Sequence, residues 1–120
     1  MPEDPVITAQ RAEALLLRQE IDTARPLWEK ACNGSRPPRA LAAFILCSAA
    51  GAGKVPPTQS TAEEAATSQA FIEWYQRLIS AGANQTVVRL NSRVDSFRDS
   101  LPTAARLLES ALSIAEQPAA

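Results

Sequence analysis

Apolar residues recur along this chain with the spacing of amphipathic helices. In the segment that follows Asp22 or Thr23, they return at intervals of three and four residues, which places them on one face of a helix. Such spacing along the whole chain predicts about six helices joined as three antiparallel hairpins, over approximately residues 6–32, 39–81 and 84–116, in a single domain spanning 1–120. The individual helices are predicted at Val6–Arg18, after Asp22 or Thr23 as far as Cys32, at Arg39–Ala50, at Thr61–Ala81, after Asn84, and after Ser100 as far as Glu116. The pattern predicts an all-α fold.

Capping and breaking residues mark the predicted helix ends. Residues 33–38 end the second helix, and residues 51–60 form the longest predicted break, an exposed loop. The sequence Thr-Ala-Glu-Glu at 61–64 predicts a capping box, in which the Thr61 hydroxyl and the Glu64 carboxylate each bind a backbone N–H. Pro26 and Pro102 are predicted in the first turns of their helices. The third helix is apolar nearly all round, which predicts a central, buried position.

One sequence pattern occurs twice in the chain. Residues Thr23–Ala31 and Thr103–Ala111 both read Thr-Ala-x-x-Leu-x-Glu-x-Ala. Repeated helical units are typical of stacked-helix arrays, whose extended surfaces commonly bind other proteins. The repetition therefore favours a binding protein over an enzyme.

The first two helices resemble a tetratricopeptide repeat. The resemblance rests on residue sizes at six positions, namely Ala12, Leu15, Ile21, Ala24, Trp28 and Ala31. The last two helices resemble it through Leu101, Ala104, Leu108 and Ala111, and the middle pair only through Ala70 and Trp74. The chain departs from the family pattern at Thr8 and Arg11 and in the insertion at 51–60. An irregular helical bundle is the alternative architecture.

The resemblance implies a location for partner binding. Members of the family bind partners in a concave groove lined by the first helix of each hairpin. The corresponding positions here are Ala9 and Glu13 in the first unit, Ala43 and Cys47 in the middle unit, and Arg89 and Arg93 in the third. Such a groove is apolar in its middle and basic at its C-terminal end, which implies another protein or an acidic peptide segment as the partner. Tyr75, at the edge of an apolar stripe, is a further candidate contact; the alternative for the two arginines is ordinary solvated pairing with nearby acids.

Composition and charge narrow the class of protein. With 46% apolar and 21% charged residues, the chain has the composition of a folded domain rather than a disordered one. A net charge of −1 supplies no field that would attract nucleic acid or an anionic membrane. The acidic start at residues 1–5 lacks the profile of a secretory signal, and no apolar run is long enough to span a bilayer. These features predict a cytoplasmic, bacterial-type protein.

Candidate chemistry is sparse. The chain has no histidine, so no zinc site is expected. Cys32 and Cys47 are predicted roughly 13 Å apart along the helix axis, so no disulfide is expected either. Both cysteines are predicted to be core residues. The Gly-Ala-Gly-Lys stretch at 51–54 resembles the end of a phosphate-binding loop, but Ser48 and Val55 replace residues that such a loop requires. Glu63 and Glu64 are adjacent on a helix and diverge too far to act as an acid/base pair. No cofactor and no metal is predicted.

The sequence favours a non-catalytic protein–protein interaction module, such as a scaffold, an assembly factor or a chaperone. The alternative is an accessory or regulatory helical subunit or domain of a larger enzyme system, for example in polysaccharide synthesis or glycosyl transfer. Trp28 and Trp74 could stack on a sugar or a base, but both fall on apolar stripes, which favours core packing.

Overall fold

The computed structural model describes residues 4–116, and within this range the chain forms seven α-helices and no β-strand. The helices are α1 (Pro5–Leu17), α2 (Ile21–Ala31), α3 (Pro38–Ala50), α4 (Thr61–Ser80), α5 (Asn84–Ser92), α6 (Val94–Phe97) and α7 (Pro102–Glu116). The predicted all-α class is confirmed. None of the helices in residues 4–116 has the length and apolar character that a membrane span requires. The predictions that concern residues 1–3 and 117–120 lie outside the described part of the chain.

The α3 helix lies at the centre of the fold. Every residue from Ala40 to Ala50 is buried, as the nearly continuous apolar sequence predicts. The helix packs against α2, α4, α5 and α6. The loop that follows α3 connects it to α4 over residues 51–60, which confirms its predicted bounds.

Two aromatic side chains of α4 join the N-terminal and C-terminal helices. The ring of Trp74 meets that of Trp28 on α2 edge to face, with the ring centres 5.4 Å apart. Phe71 contacts Phe97 on α6 with the ring centres 4.8 Å apart. All four rings are buried, so the predicted core position of both tryptophans is confirmed. Such aromatic pairs contribute more to stability than their buried area alone.

The α2 helix begins earlier than its capping residues predict. Gln19 has a left-handed backbone conformation, with φ of 66°, and α2 starts two residues later at Ile21. The Gln19 side-chain oxygen accepts a hydrogen bond from the Thr86 backbone N–H at 3.0 Å, which ties this turn to α5. Asp22 therefore lies in the first turn of α2 and not at its cap. Pro26 consequently lies inside α2, and its predicted place in the first turn is wrong.

The predicted fifth helix is interrupted. Its two parts are α5 and α6, separated at Arg93, whose φ of −122° and ψ of 29° are not helical. Leu90 and Phe97, on either side of the break, are both buried. Because the apolar spacing continues across the break, periodicity alone does not reveal it.

The capping box of α4 begins one residue earlier than predicted. The hydroxyl of Ser60, not that of Thr61, accepts the hydrogen bond from the Glu63 backbone N–H at 3.1 Å. The Glu63 carboxylate accepts a bond from the Gln59 backbone N–H at 2.8 Å. It also accepts two bonds from the Arg36 guanidinium, at 3.1 and 2.9 Å. Glu63 therefore takes the role predicted for Glu64.

The loop at 51–60 is held at several points rather than simply exposed. Arg36 donates a hydrogen bond to the Pro57 carbonyl at 2.9 Å. The Thr58 hydroxyl donates to the Ser100 carbonyl at 2.7 Å, and the Ser100 hydroxyl donates to the Pro56 carbonyl at 2.8 Å. These bonds fix the loop against the segment that precedes α7.

Replacing Glu63 with alanine should lower the free energy of unfolding by about 1–2 kcal/mol, because the substitution removes a carboxylate that pairs with Arg36 and accepts a hydrogen bond from the Gln59 backbone N–H. Urea unfolding followed by circular dichroism measures this change. The matched control is Glu73→Ala on the exposed side of the same helix, for which the expected change is within about 0.5 kcal/mol. Equal stability of the two variants would contradict the anchoring role of Glu63.

The two copies of the repeated pattern agree in burial at two positions. Ala24 and Ala104 are both fully buried, and Trp28 and Leu108 are each 3% exposed. The leucine of the pattern differs, since Leu27 is half-buried whereas Leu107 is 55% exposed. Both the repeat relationship and the arrangement in three hairpins stay predictions.

Candidate functional site

The predicted apolar middle of the groove is not accessible to a partner. Ala43 and Cys47 are both 0% exposed. The prediction that they line a groove is wrong, because α3 is covered by α2, α4, α5 and α6. Burial raises the pKa of Cys47 to about 12, so its thiol stays protonated at neutral pH and is a weak nucleophile.

The two arginines predicted at the basic end of the groove lie in different backbone settings. Arg89 is part of α5 and borders a polar depression of about 110 Å³ together with Gln19 and Asp22. Arg93 lies at the break after α5, and its guanidinium donates a hydrogen bond to the Gly51 carbonyl at 2.7 Å. Both side chains are exposed, but their predicted spacing of one turn on a single helix face is wrong because the helix ends between them.

Tyr75 connects two helices of the fold. Its hydroxyl donates a hydrogen bond of 2.5 Å to the side-chain oxygen of Asn91 on α5. The residue is half-buried, and burial raises the pKa of its hydroxyl. Its part in partner binding stays a prediction.

A cleft of about 510 Å³ lies between α1, α2 and the beginning of α3, and is here termed the α1–α3 cleft. Its floor consists of two buried residues, Trp28 and Ala40. Its walls are formed by the half-buried residues Thr8, Ala9, Glu13 and Ala31. Its exposed rim is formed by Pro5, Lys30, Pro37 and Arg39. The volume is that of a typical ligand-binding pocket, and the exposed rim makes it a surface groove.

The floor and rim of the cleft are held in place by α4. Trp74 supports Trp28 from behind through the edge-to-face contact, and its indole N–H donates a hydrogen bond to the Arg39 carbonyl at 2.9 Å. The Arg39 guanidinium lies over the Trp74 ring, 4.4 Å from its centre. Trp74 therefore orients two cleft residues. The indole N–H of Trp28 is buried and has no hydrogen-bond partner within residues 4–116.

Charge is unevenly shared among the side chains of the cleft. The Glu13 carboxylate is paired with Arg77 of α4 and, at the longer distance of 3.4 Å, with Arg39. Arg39 is 57% exposed. Lys30 is exposed and forms no ion pair with any described residue. The rim therefore offers positive charge toward solvent, while the one acidic side chain of the cleft is already neutralised.

The described residues offer little inorganic or redox chemistry. Cys32 and Cys47 are free and buried, which confirms their predicted core positions. In residues 4–116, no group of three or more cysteine or acidic side chains could hold a metal ion. Burial raises the pKa of Cys32 to about 11, which disfavours the thiolate form needed for metal binding.

Two residues of the cleft are predicted from the sequence. Ala9 and Glu13 are the first-unit groove positions implied by the family resemblance, and both line the α1–α3 cleft. Lys30 and Arg39 are not predicted from the sequence, because they belong to different helices and are brought together only by the turn at 32–37. Two exposed basic residues flanking a predicted turn are the only sequence signal that could have indicated the rim.

Comparison with protein-family models, with curated proteins and with solved structures finds no match. What the chain binds is therefore inferred from its own geometry and charge.

Proposed function

We propose that this chain is a non-catalytic protein-interaction module that holds a segment of another protein in the α1–α3 cleft. The observation that carries the proposal is the cleft itself, a groove of about 510 Å³ with an apolar floor, walls of mostly small residues and a rim that carries Lys30 and Arg39. Apolar concave surfaces with a few polar groups at their edges are typical binding sites. The resemblance of α1 and α2 to a tetratricopeptide repeat supports the same function. Scaffold, assembly factor and chaperone are forms that such a module takes.

Blocking the cleft should abolish partner capture without unfolding the protein. In Ala9→Phe, a ring fills the space beside Trp28, because Ala9 is a half-buried wall residue of α1. We expect retention of the partner from native cell extract in an affinity pull-down to fall at least about tenfold, the loss that corresponds to 1.4 kcal/mol of binding energy. Circular dichroism checks that the variant remains helical.

The matched control is Ala14→Phe, which places the same ring on the exposed side of the same helix. This variant should retain whatever the parent retains. If both phenylalanine variants capture the same proteins as the parent, the α1–α3 cleft is not the binding site. If the parent itself retains no protein above the background of the bare resin, the interaction function is refuted.

A further inference from the structure

The lining of the α1–α3 cleft favours an occupant with an apolar surface. Trp28 and Ala40 form the floor, and Ala9 and Ala31 stand in opposite helices of the wall. Alanine side chains are short and form no hydrogen bonds, so they allow another element to approach closely and favour apolar contact. A fully polar segment would lose its hydration here without gaining partners.

The backbone around the cleft determines whether a helix or an extended segment fits better. The cleft is formed by three helices, whose interior N–H and C=O groups are bonded within each helix. An extended segment laid in it would face alanine side chains and find no strand edge for its own backbone groups. A helix satisfies its backbone groups internally and needs only side-chain contacts. The cleft therefore fits a helix better than an extended chain.

The charge at the rim of the cleft favours an occupant with acidic groups. Lys30 is unpaired among the described residues, and Arg39 forms its ion pair at the long distance of 3.4 Å with a glutamate that Arg77 already neutralises. No side chain caps the first turn of α3, so the positive end of that helix adds to the field of Arg39. Acidic groups on the occupant would meet this field favourably, and basic groups would be repelled.

Resting on the proposed function, we infer that the α1–α3 cleft binds an amphipathic helix of another protein that carries acidic residues beside its apolar stripe. The apolar stripe fills the cleft between Ala9 and Ala31. The acidic residues lie against Lys30 and Arg39. Complementary charge sets the orientation and excludes basic helices.

Two synthetic peptides test the inference directly. Both are about 14 residues long, near the length at which isolated helices begin to form, and share one leucine stripe at helical spacing. One carries glutamates beside the stripe, and the other carries lysines at the same positions. Fluorescence anisotropy of the labelled peptides should show the acidic peptide binding at least about tenfold tighter than the basic one, with the preference shrinking as salt is added.

Charge reversal at the two lysines of the chain supplies a matched pair of variants. Lys30→Glu should lower the affinity for the acidic peptide by about tenfold and raise that for the basic peptide. Lys54→Glu makes the same change on an exposed loop residue that does not line the cleft, and should leave both affinities unchanged. Ala9→Phe should weaken both peptides, because it occupies the apolar space.

The outcomes separate this inference from the function on which it rests. If the parent binds the two peptides with equal affinity and Ala9→Phe weakens both, the charge preference is overturned while the interaction function stands. If neither peptide binds but a protein is retained from extract by the parent and lost by Ala9→Phe, the helical occupant is wrong and the function stands. If neither peptide binds and no cleft-dependent protein is retained, both are refuted.

Discussion

Replacing Trp74 with alanine is expected to lower the free energy of unfolding by about 3–5 kcal/mol, the usual range for deletion of a buried aromatic side chain. The ring is 1% exposed and packs against Trp28, so its removal leaves a cavity between α2 and α4. The substitution also removes the hydrogen bond to the Arg39 carbonyl and the ring beneath the Arg39 guanidinium. Urea unfolding followed by far-ultraviolet circular dichroism measures the loss.

Trp74→Phe serves as the control because it keeps an aromatic ring but removes the indole N–H. The Arg39 carbonyl then loses a donor, and the expected loss is about 1–2 kcal/mol. A Trp74→Ala protein that unfolds at the same urea concentration as the parent would contradict the placement of Trp74 between α2 and α4.

The sequence predicts the helices best where local signals and packing agree. The α3 and α4 helices have continuous apolar spacing and clear end signals at residues 33–38, 51–60 and Gly82, and the structure places them close to their predicted bounds. The burial of α3 follows from its lack of a polar face. The same property argues against the groove positions assigned to Ala43 and Cys47, since a helix that is apolar all round has no face to offer a partner.

Features that depend on distant contacts are not predictable in this way. The turn at Gln19 is tied to Thr86, and the cap of α4 is fixed by the pairing of Arg36 with Glu63. The α1–α3 cleft combines side chains of three helices, so its cationic rim exists only in the folded chain. Local propensity fixes which segments are helical, whereas these tertiary bonds decide where each helix starts and which surfaces remain open.

Glu64 illustrates this dependence and leads to the second large effect that we expect. Its carboxylate accepts hydrogen bonds from the backbone N–H and the hydroxyl of Thr103, at 2.7 and 3.0 Å, and from the Ser68 hydroxyl at 3.0 Å. The Ser68 hydroxyl oxygen in turn accepts a bond from the Ala104 backbone N–H at 3.3 Å. Two residues of α4 therefore cap the first turn of α7, a helix distant in sequence.

Glu64→Ala should lower the free energy of unfolding by about 2–3 kcal/mol, since it leaves the partly buried donors of Thr103 without their charged acceptor. Glu64→Gln should cause a smaller loss, because the amide keeps one acceptor oxygen but no charge. Hydrogen exchange should locate the effect, with the Thr103 and Ala104 amides exchanging faster in Glu64→Ala than in the parent.

The cap should also depend on pH. Burial alone would raise the pKa of Glu64, but the hydrogen bonds from Thr103 and Ser68 outweigh it and hold the pKa below its ordinary value. A carboxyl whose pKa is lower in the folded state stabilises the fold above the pKa of the unfolded chain, and that contribution is lost as pH falls through the folded-state pKa. The stability difference between the parent and Glu64→Ala should therefore be larger at neutral pH than at about pH 3. A difference that is the same at both pH values, with unchanged exchange of the Thr103 amide, would show that the ionised carboxylate does not cap α7.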